Sequence, residues 1–125
     1  MTIVRKLLLF AFVAGSTATA HHSYALFDVD KTLTVSGTVK QWEWTNPHSW
    51  VVIVAHDPQG GDVEWSIEAS SPAVWRRYGA TRDMLKPGDS VSILFHPMRS
   101  GANGGLLQSL TLSDGRTIDV SKAAP

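Results

Sequence analysis

The chain has 125 residues, with 11 basic and 11 acidic side chains, five histidines, five tryptophans and no cysteine. Balanced charge excludes the polybasic surface that binding to a phosphate backbone requires. The lack of cysteine excludes a disulfide framework, a zinc–thiolate site and a thiol nucleophile, so the fold rests on one small hydrophobic core.

Arg5 and Lys6 precede an unbroken apolar run from Leu7 to Ala14, and Ala18-Thr19-Ala20 follows after small residues. A basic start, a short apolar stretch and a small-residue cleavage site in that order are the marks of a signal peptide. The run is far shorter than the roughly 20 apolar residues of a membrane-spanning helix. Residues 1–20 are therefore expected to be removed. The mature chain then begins at His21, is periplasmic or secreted, and keeps no stable membrane anchor. The leader carries Arg5 and Lys6 and no acid, which leaves the mature chain with two more acids than bases.

Residues 21–30 have no periodicity and read as an irregular lead-in. Residues 31–120 read as a β domain and residues 121–125 as a frayed tail. Leu33, Val35, Gly37 and Val39 alternate with polar residues, which predicts a strand. Beyond Lys40 the apolar parity flips, so a bulge or sharp coil is expected near Gly37–Gln41. Asn46-Pro47 marks a turn. Trp50 to Ala55 reads as a second strand covered on both faces. Val63, Trp65 and Ile67 form the apolar side of a third. Ser71, Pro72 and Gly79 predict the cap, first position and end of a short helix.

Lys86-Pro87-Gly88-Asp89 is a turn. Val91, Ile93 and Phe95 are the inner face of a fourth strand. The stretch Gly101-Ala102-Asn103-Gly104-Gly105 reads as a hairpin loop, since the Lys-Ser/Thr of a phosphate loop is missing. Leu106 to Leu112 is a fifth strand, and Asp114-Gly115 reads as a two-residue hairpin turn into a short sixth. Three strands, a helix, then two or three strands is the layout of an OB-like Greek-key barrel. The alternative is a small open β-sandwich.

His21-His22-Ser23-Tyr24-Ala25-Leu26-Phe27-Asp28 directly after the leader, Trp44-Thr45-Asn46-Pro47-His48, Trp65-Ser66-Ile67-Glu68, Lys86-Pro87-Gly88-Asp89 and Ser113-Asp114-Gly115-Arg116 form a distinctive set. Over essentially the whole mature chain they resemble a family of small exported bacterial proteins classified only as a domain of unknown function. The resemblance implies a bacterial, exported, β-rich protein and names no catalytic residue.

The new N-terminus carries the sharpest chemistry. Cleavage after Ala20 places a free α-amine beside the His21 imidazole, and a metal ion can displace the amine proton near neutral pH. Amine nitrogen, its own ring nitrogen and a second imidazole make the nitrogen-rich, T-shaped set that suits Cu(II), similar to the histidine brace of copper proteins. His22 is a further candidate donor, and His48 and His96 are candidates for the second imidazole. Eight residues of extended strand put His48 and His56 about 26 Å apart, so at most one serves a given site. Read structurally instead, His48 is a hydrogen-bonded turn residue, His56 a solvated loop residue and His96 a satisfied strand-end residue. Met98 is a thioether donor on one reading and core packing on the other.

Trp42 and Trp44, with Glu68 nearby, form a second candidate. On the outer face of a bent first strand they would be an aromatic platform for an envelope glycan or another envelope component. Turned inward by the bulge they would be core. Glu43 and Glu68 are the acids near this region that acid–base chemistry would use. The leading expectation is an exported, non-catalytic module that binds copper through His21 and buffers or delivers it. The alternatives are the aromatic-platform module and a copper-dependent oxidoreductase, which needs an open coordination position and a substrate surface. No nucleic-acid partner is expected.

Overall fold

The computed structural model describes residues 24–123. The expected signal peptide and cleavage point, with His21 and His22, lie outside the described residues. The strands are β1 (Leu33–Glu43), β2 (Ser49–Asp57), β3 (Gly61–Ala69), β4 (Ser90–Pro97), β5 (Gly104–Leu112) and β6 (Thr117–Asp119), with helix α1 (Pro72–Arg77) between β3 and β4. Among the described residues no helix is long and apolar enough to cross a membrane.

The strands join in the order β3-β2-β1-β4-β5-β6, and β3 also pairs with β5. That last pairing is parallel, while β1–β2, β1–β4, β2–β3 and β4–β5 are antiparallel. The result is a closed five-stranded OB-like barrel with β6 added outside the ring. Closure removes the free edges that an open sandwich would leave, so the sandwich alternative does not hold.

The flip of parity in β1 is a bulge. Val39 pairs with Ile53, but Gln41 pairs with Val52, leaving Lys40 extra. One inserted residue turns every later side chain to the opposite face. Val39 faces the core before it, at 2% exposure, and Trp42 faces the core after it, opposite the fully buried Val51. The Lys86–Asp89 turn docks on the same spot, with Val39 N–H donating to the Asp89 carbonyl and Gly88 N–H to the Val39 carbonyl, each at 2.8 Å.

Helix α1 is short and defined at both ends. Ser71 caps it by accepting from Val74 N–H, and Pro72 occupies its first turn. Gly79, at φ +85°, ends it, with Ala80 N–H returning to the Trp75 carbonyl at 3.0 Å. Trp75 is fully buried, so the helix is a plug that drives one indole into the barrel. The inward residues Ile53, Ile67, Ile93, Phe95 and Leu110 are also at 0% exposure.

Three details differ from the sequence reading. The β5–β6 connection is a three-residue loop, Ser113-Asp114-Gly115: Gly115 N–H donates to the Leu112 carbonyl, Leu112 N–H to the Arg116 carbonyl, and Gly115 takes φ +86°. A type I turn followed by a left-handed glycine gives that geometry. At the C-terminus, Ala123 packs against the core, so the chain is held to that point. Finally, Gly104 and Gly105 are strand rather than loop, and they form the closing seam opposite Ser66 and Ile67.

A Cβ on Gly104 would lie 2.8 Å from the Ser66 carbonyl oxygen, and one on Gly105 would run into the Phe95 ring and the His96 carbonyl. Replacing Gly105 with alanine is therefore expected to cost about 1–3 kcal/mol or more, the usual penalty of overpacking. Urea unfolding measures it; a Gly105→Ala protein as stable as its parent would contradict so tight a seam.

Candidate functional site

The barrel register lines up one row of outward-facing residues. Glu43 pairs with Trp50, Trp50 with Glu68, Glu68 with Leu106 and Leu106 with His96. Adjacent strands are about 4.8 Å apart, so the backbones of Glu68 and His96 are separated by about 10 Å.

Glu68 is the unusual member of this row. Its neighbour Ile67 points into the core, so Glu68 belongs to the outer face, yet it is only 7% exposed. Covered carboxylates need partners, because desolvation penalises an unpaired charge. His48, from the turn before β2, supplies one: its Nδ1 lies 2.6 Å from Glu68 Oε1. That turn holds a cis Asn46–Pro47 peptide bond and is tied by Thr45 Oγ1 donating to the His48 carbonyl at 2.8 Å. Because a carboxylate accepts, Nδ1 donates, and Nε2 is the ring atom turned to other partners.

Tyr24, on the lead-in, feels the charge of the same carboxylate. Its hydroxyl pKa is raised above 10.0, first by burial and second by the charge of Glu68. The lead-in is fastened to the barrel rather than loose. Phe27 is 3% exposed and bridges to Met98. Asp28 pairs with Lys31 at 3.1 Å and with Arg99 at 3.9 Å, and Arg99 N–H donates to the Leu26 carbonyl at 2.9 Å. The hydrogen bond from Lys31, aided by the charges of Lys31 and Arg99, holds the Asp28 carboxyl below its ordinary value.

His96 sits at the other end of the row. Its Nδ1 is 2.6 Å from the Lys31 carbonyl oxygen, so it too keeps the proton on Nδ1 and turns Nε2 outward. His56 is at the far end of β2, highly exposed, with Nδ1 3.2 Å from Asp62 Oδ1. Met98 lies over Gly104 and beside Phe27. Among the described residues no group of three or more His, Asp or Glu is placed to hold a metal ion. His48 and Glu68 are brought together, and His96 shares their face.

The tryptophans do not form an exposed platform. Trp44 is 8% exposed, and the half-buried Trp42 packs on the core. Trp42 stands edge-on to both Trp44 and Trp75, with centroids 5.6 and 5.7 Å away, and donates its Nε1 to the Arg82 carbonyl at 3.0 Å. Arg76 lies 5.6 Å over the Trp44 ring. The physical reason is the bulge at Lys40, which turns Trp42 inward. Trp65 likewise packs on the core, 5.5 Å from Phe95. The tryptophan on the outer row is Trp50, which pairs with Glu43 and Glu68.

A profile of a family of unknown function, DUF6152, matches residues 10–108. The chain belongs to that family. No curated protein matches it. Among solved structures, it is similar to the mitochondrial single-stranded DNA binding protein Rim1 of S. cerevisiae: 8% identity, 66% of this chain, 93% of that chain, and a TM-score of 0.52. At that identity the likeness concerns the fold alone, and it agrees with the OB-like ring of strands.

The setting of Tyr24 is open to a direct check. The chain has two tyrosines, so a Tyr78→Phe variant reports Tyr24 alone. Its absorbance titration is expected to have a midpoint above 10.0, moving down in the Glu68→Gln background. A midpoint that does not move in the Glu68→Gln background would place Tyr24 away from the carboxylate.

Proposed function

We propose that this is an exported, non-catalytic metal-binding module, cut after Ala20, that takes copper through the mature N-terminus and the barrel face beside it. In this reading the amine and ring of His21 chelate the ion and Nε2 of His48 completes the set. His22 and His96 are the further donors of the neighbourhood.

The observation that carries the reading is the His48–Glu68 pair at 2.6 Å with Tyr24 beside it. Ligating histidines typically donate their second ring N–H to a carboxylate, which fixes the tautomer and makes the ring a better donor. Glu68 is held in that role by burial, whereas the carbonyl behind His96 carries no full charge. Three extended residues span about 10 Å, which is the length of chain that separates His21 from Tyr24. The described residues do not by themselves group three donors, and the terminal amine and ring are what would complete the set. Imidazole and amine nitrogens without thiolate favour Cu(II) over softer chemistry.

Two rivals fare less well. A glycan platform of Trp42 and Trp44 would need ring faces that packing and Arg76 cover. A nucleic-acid role would place phosphates on a β1–β2–β3 face that carries Glu43, Asp62, Glu64 and Glu68 against Lys40.

Titration with Cu(II) tests the proposal. Protein beginning at His21 is expected to bind one equivalent tightly, and a form with one extra residue ahead of His21 to lose most of that affinity. Glu68→Gln is expected to weaken binding about 10–100-fold, the usual effect of losing a ligand's carboxylate partner. Equal binding by the cut and extended forms would defeat the proposal, and equal binding by the Glu68→Gln form would remove His48 from it.

A further inference from the structure

A second feature of the outer face adjoins the proposed copper site and shares Tyr24 and His96 with its neighbourhood. Between the lead-in and the β5–β6 side of the barrel is an open cleft of about 260 Å³, with Tyr24 and Val29 on one side and Gln108, Val120 and Ala123 on the other. Leu106, on the outer row, gives it an apolar floor, with the core residue Leu107 beneath. Tyr24 and Val29 are among the exposed large apolar side chains of the molecule, at 43% and 46%. Such residues mark binding surfaces when they gather around a concavity.

The polar groups of the cleft define the chemistry of a guest. No Asp, Glu, Lys or Arg lines it among the described residues. Phosphates, carboxylates and ammonium groups would enter without a counter-charge, at a high desolvation cost. Three donors of the lining are used within the protein. His96 Nδ1 donates to the Lys31 carbonyl at 2.6 Å, Ser121 Oγ donates to Asp119 Oδ1 at 2.6 Å, and one amide hydrogen of Gln108 goes to the Leu107 carbonyl at 3.2 Å. The lining keeps acceptor capacity at His96 Nε2, the Ser121 oxygen and the Gln108 carbonyl oxygen, beside the Tyr24 and Ser70 hydroxyls, which both accept and donate, as a guest hydroxyl does.

We propose that this cleft binds a small neutral ring compound that carries a hydroxyl donor, a phenol, with its ring over Leu106 and Leu107 and its O–H donated to His96 Nε2. Size agrees with this class. An apolar cavity of about 150 Å³ accommodates benzene, so the cleft has room for a substituted monocyclic ring. Tyr24 supplies an aromatic wall, and its raised pKa keeps its own hydroxyl protonated beside the guest.

The test uses metal-free protein in a chelator, so that its outcome is independent of the copper proposal. The probe is 4-methylphenol, followed by amide chemical shifts, with 4-methylanisole as a probe of similar shape that lacks the donor. Saturable shifts confined to Val29, Leu107, Gln108 and Ser121 are expected, with 4-methylphenol binding about tenfold tighter, the value of one hydrogen bond. His96→Gln keeps an acceptor and is expected to retain most of that preference, while His96→Leu is expected to abolish it. If His96→Leu fails to fold, Gln108→Leu tests the adjoining acceptor, with a reduced preference expected. Equal binding of the two probes, shifts that do not saturate, or shifts centred elsewhere would overturn the proposal.

Discussion

The parallel pairing of β3 with β5 is the contact on which the rest depends. Three of the five ring contacts join consecutive strands and β1–β4 is an antiparallel pairing across a long connection, while the parallel β3–β5 pairing is the one that closes the ring. It forms because two consecutive glycines let the backbone of β5 come close enough to β3, to the Phe95 ring and to the His96 carbonyl. Once closed, the seam sets Glu68 beside Leu106 and, through β4, Leu106 beside His96. The barrel thereby turns scattered residues into one outward row.

The same closure explains a buried acid on an outer face. An outward carboxylate on an open sheet would be solvated. Here the row is covered by the His48 turn on one side and by the lead-in on the other, which is fastened through Phe27, Asp28, Arg99 and the Leu26 carbonyl. Glu68 is held in a setting where its partners and its charge count for more than at a solvated surface. Tyr24 registers that charge, and His48 is oriented by it. Tyr24, the first described residue, thus stands within the electrostatic reach of Glu68.

Much of the fold was legible because it follows local rules. The alternation in β1, the parity flip that became the Lys40 bulge, the Ser71-Pro72 start and Gly79 stop of α1, and the inward set Val91, Ile93 and Phe95 each follow from periodicity or backbone stereochemistry. The order of elements then pointed to the OB-like ring. Gly104 and Gly105 were misread as loop because a glycine pair signals flexibility locally and close approach only when the opposing strand is known. The site was half legible. His48 and Glu68 stood out singly, but their contact bridges a turn and a strand that no spacing rule connects. Trp42 and Trp44 stayed ambiguous because the position of one bulge residue decides which way both rings face.

The central claim is that Glu68 sets the His48 ring so that Nε2 is offered to a metal held by the N-terminus. Ring-nitrogen NMR of His48, recorded on protein beginning at His21 before and after addition of diamagnetic Cu(I), tests this most directly. The account predicts a proton on Nδ1 in both states and a metal-induced shift at Nε2, lost in the Glu68→Gln protein. A His48 ring protonated at Nε2, or one whose nitrogens do not respond to the metal, would contradict it.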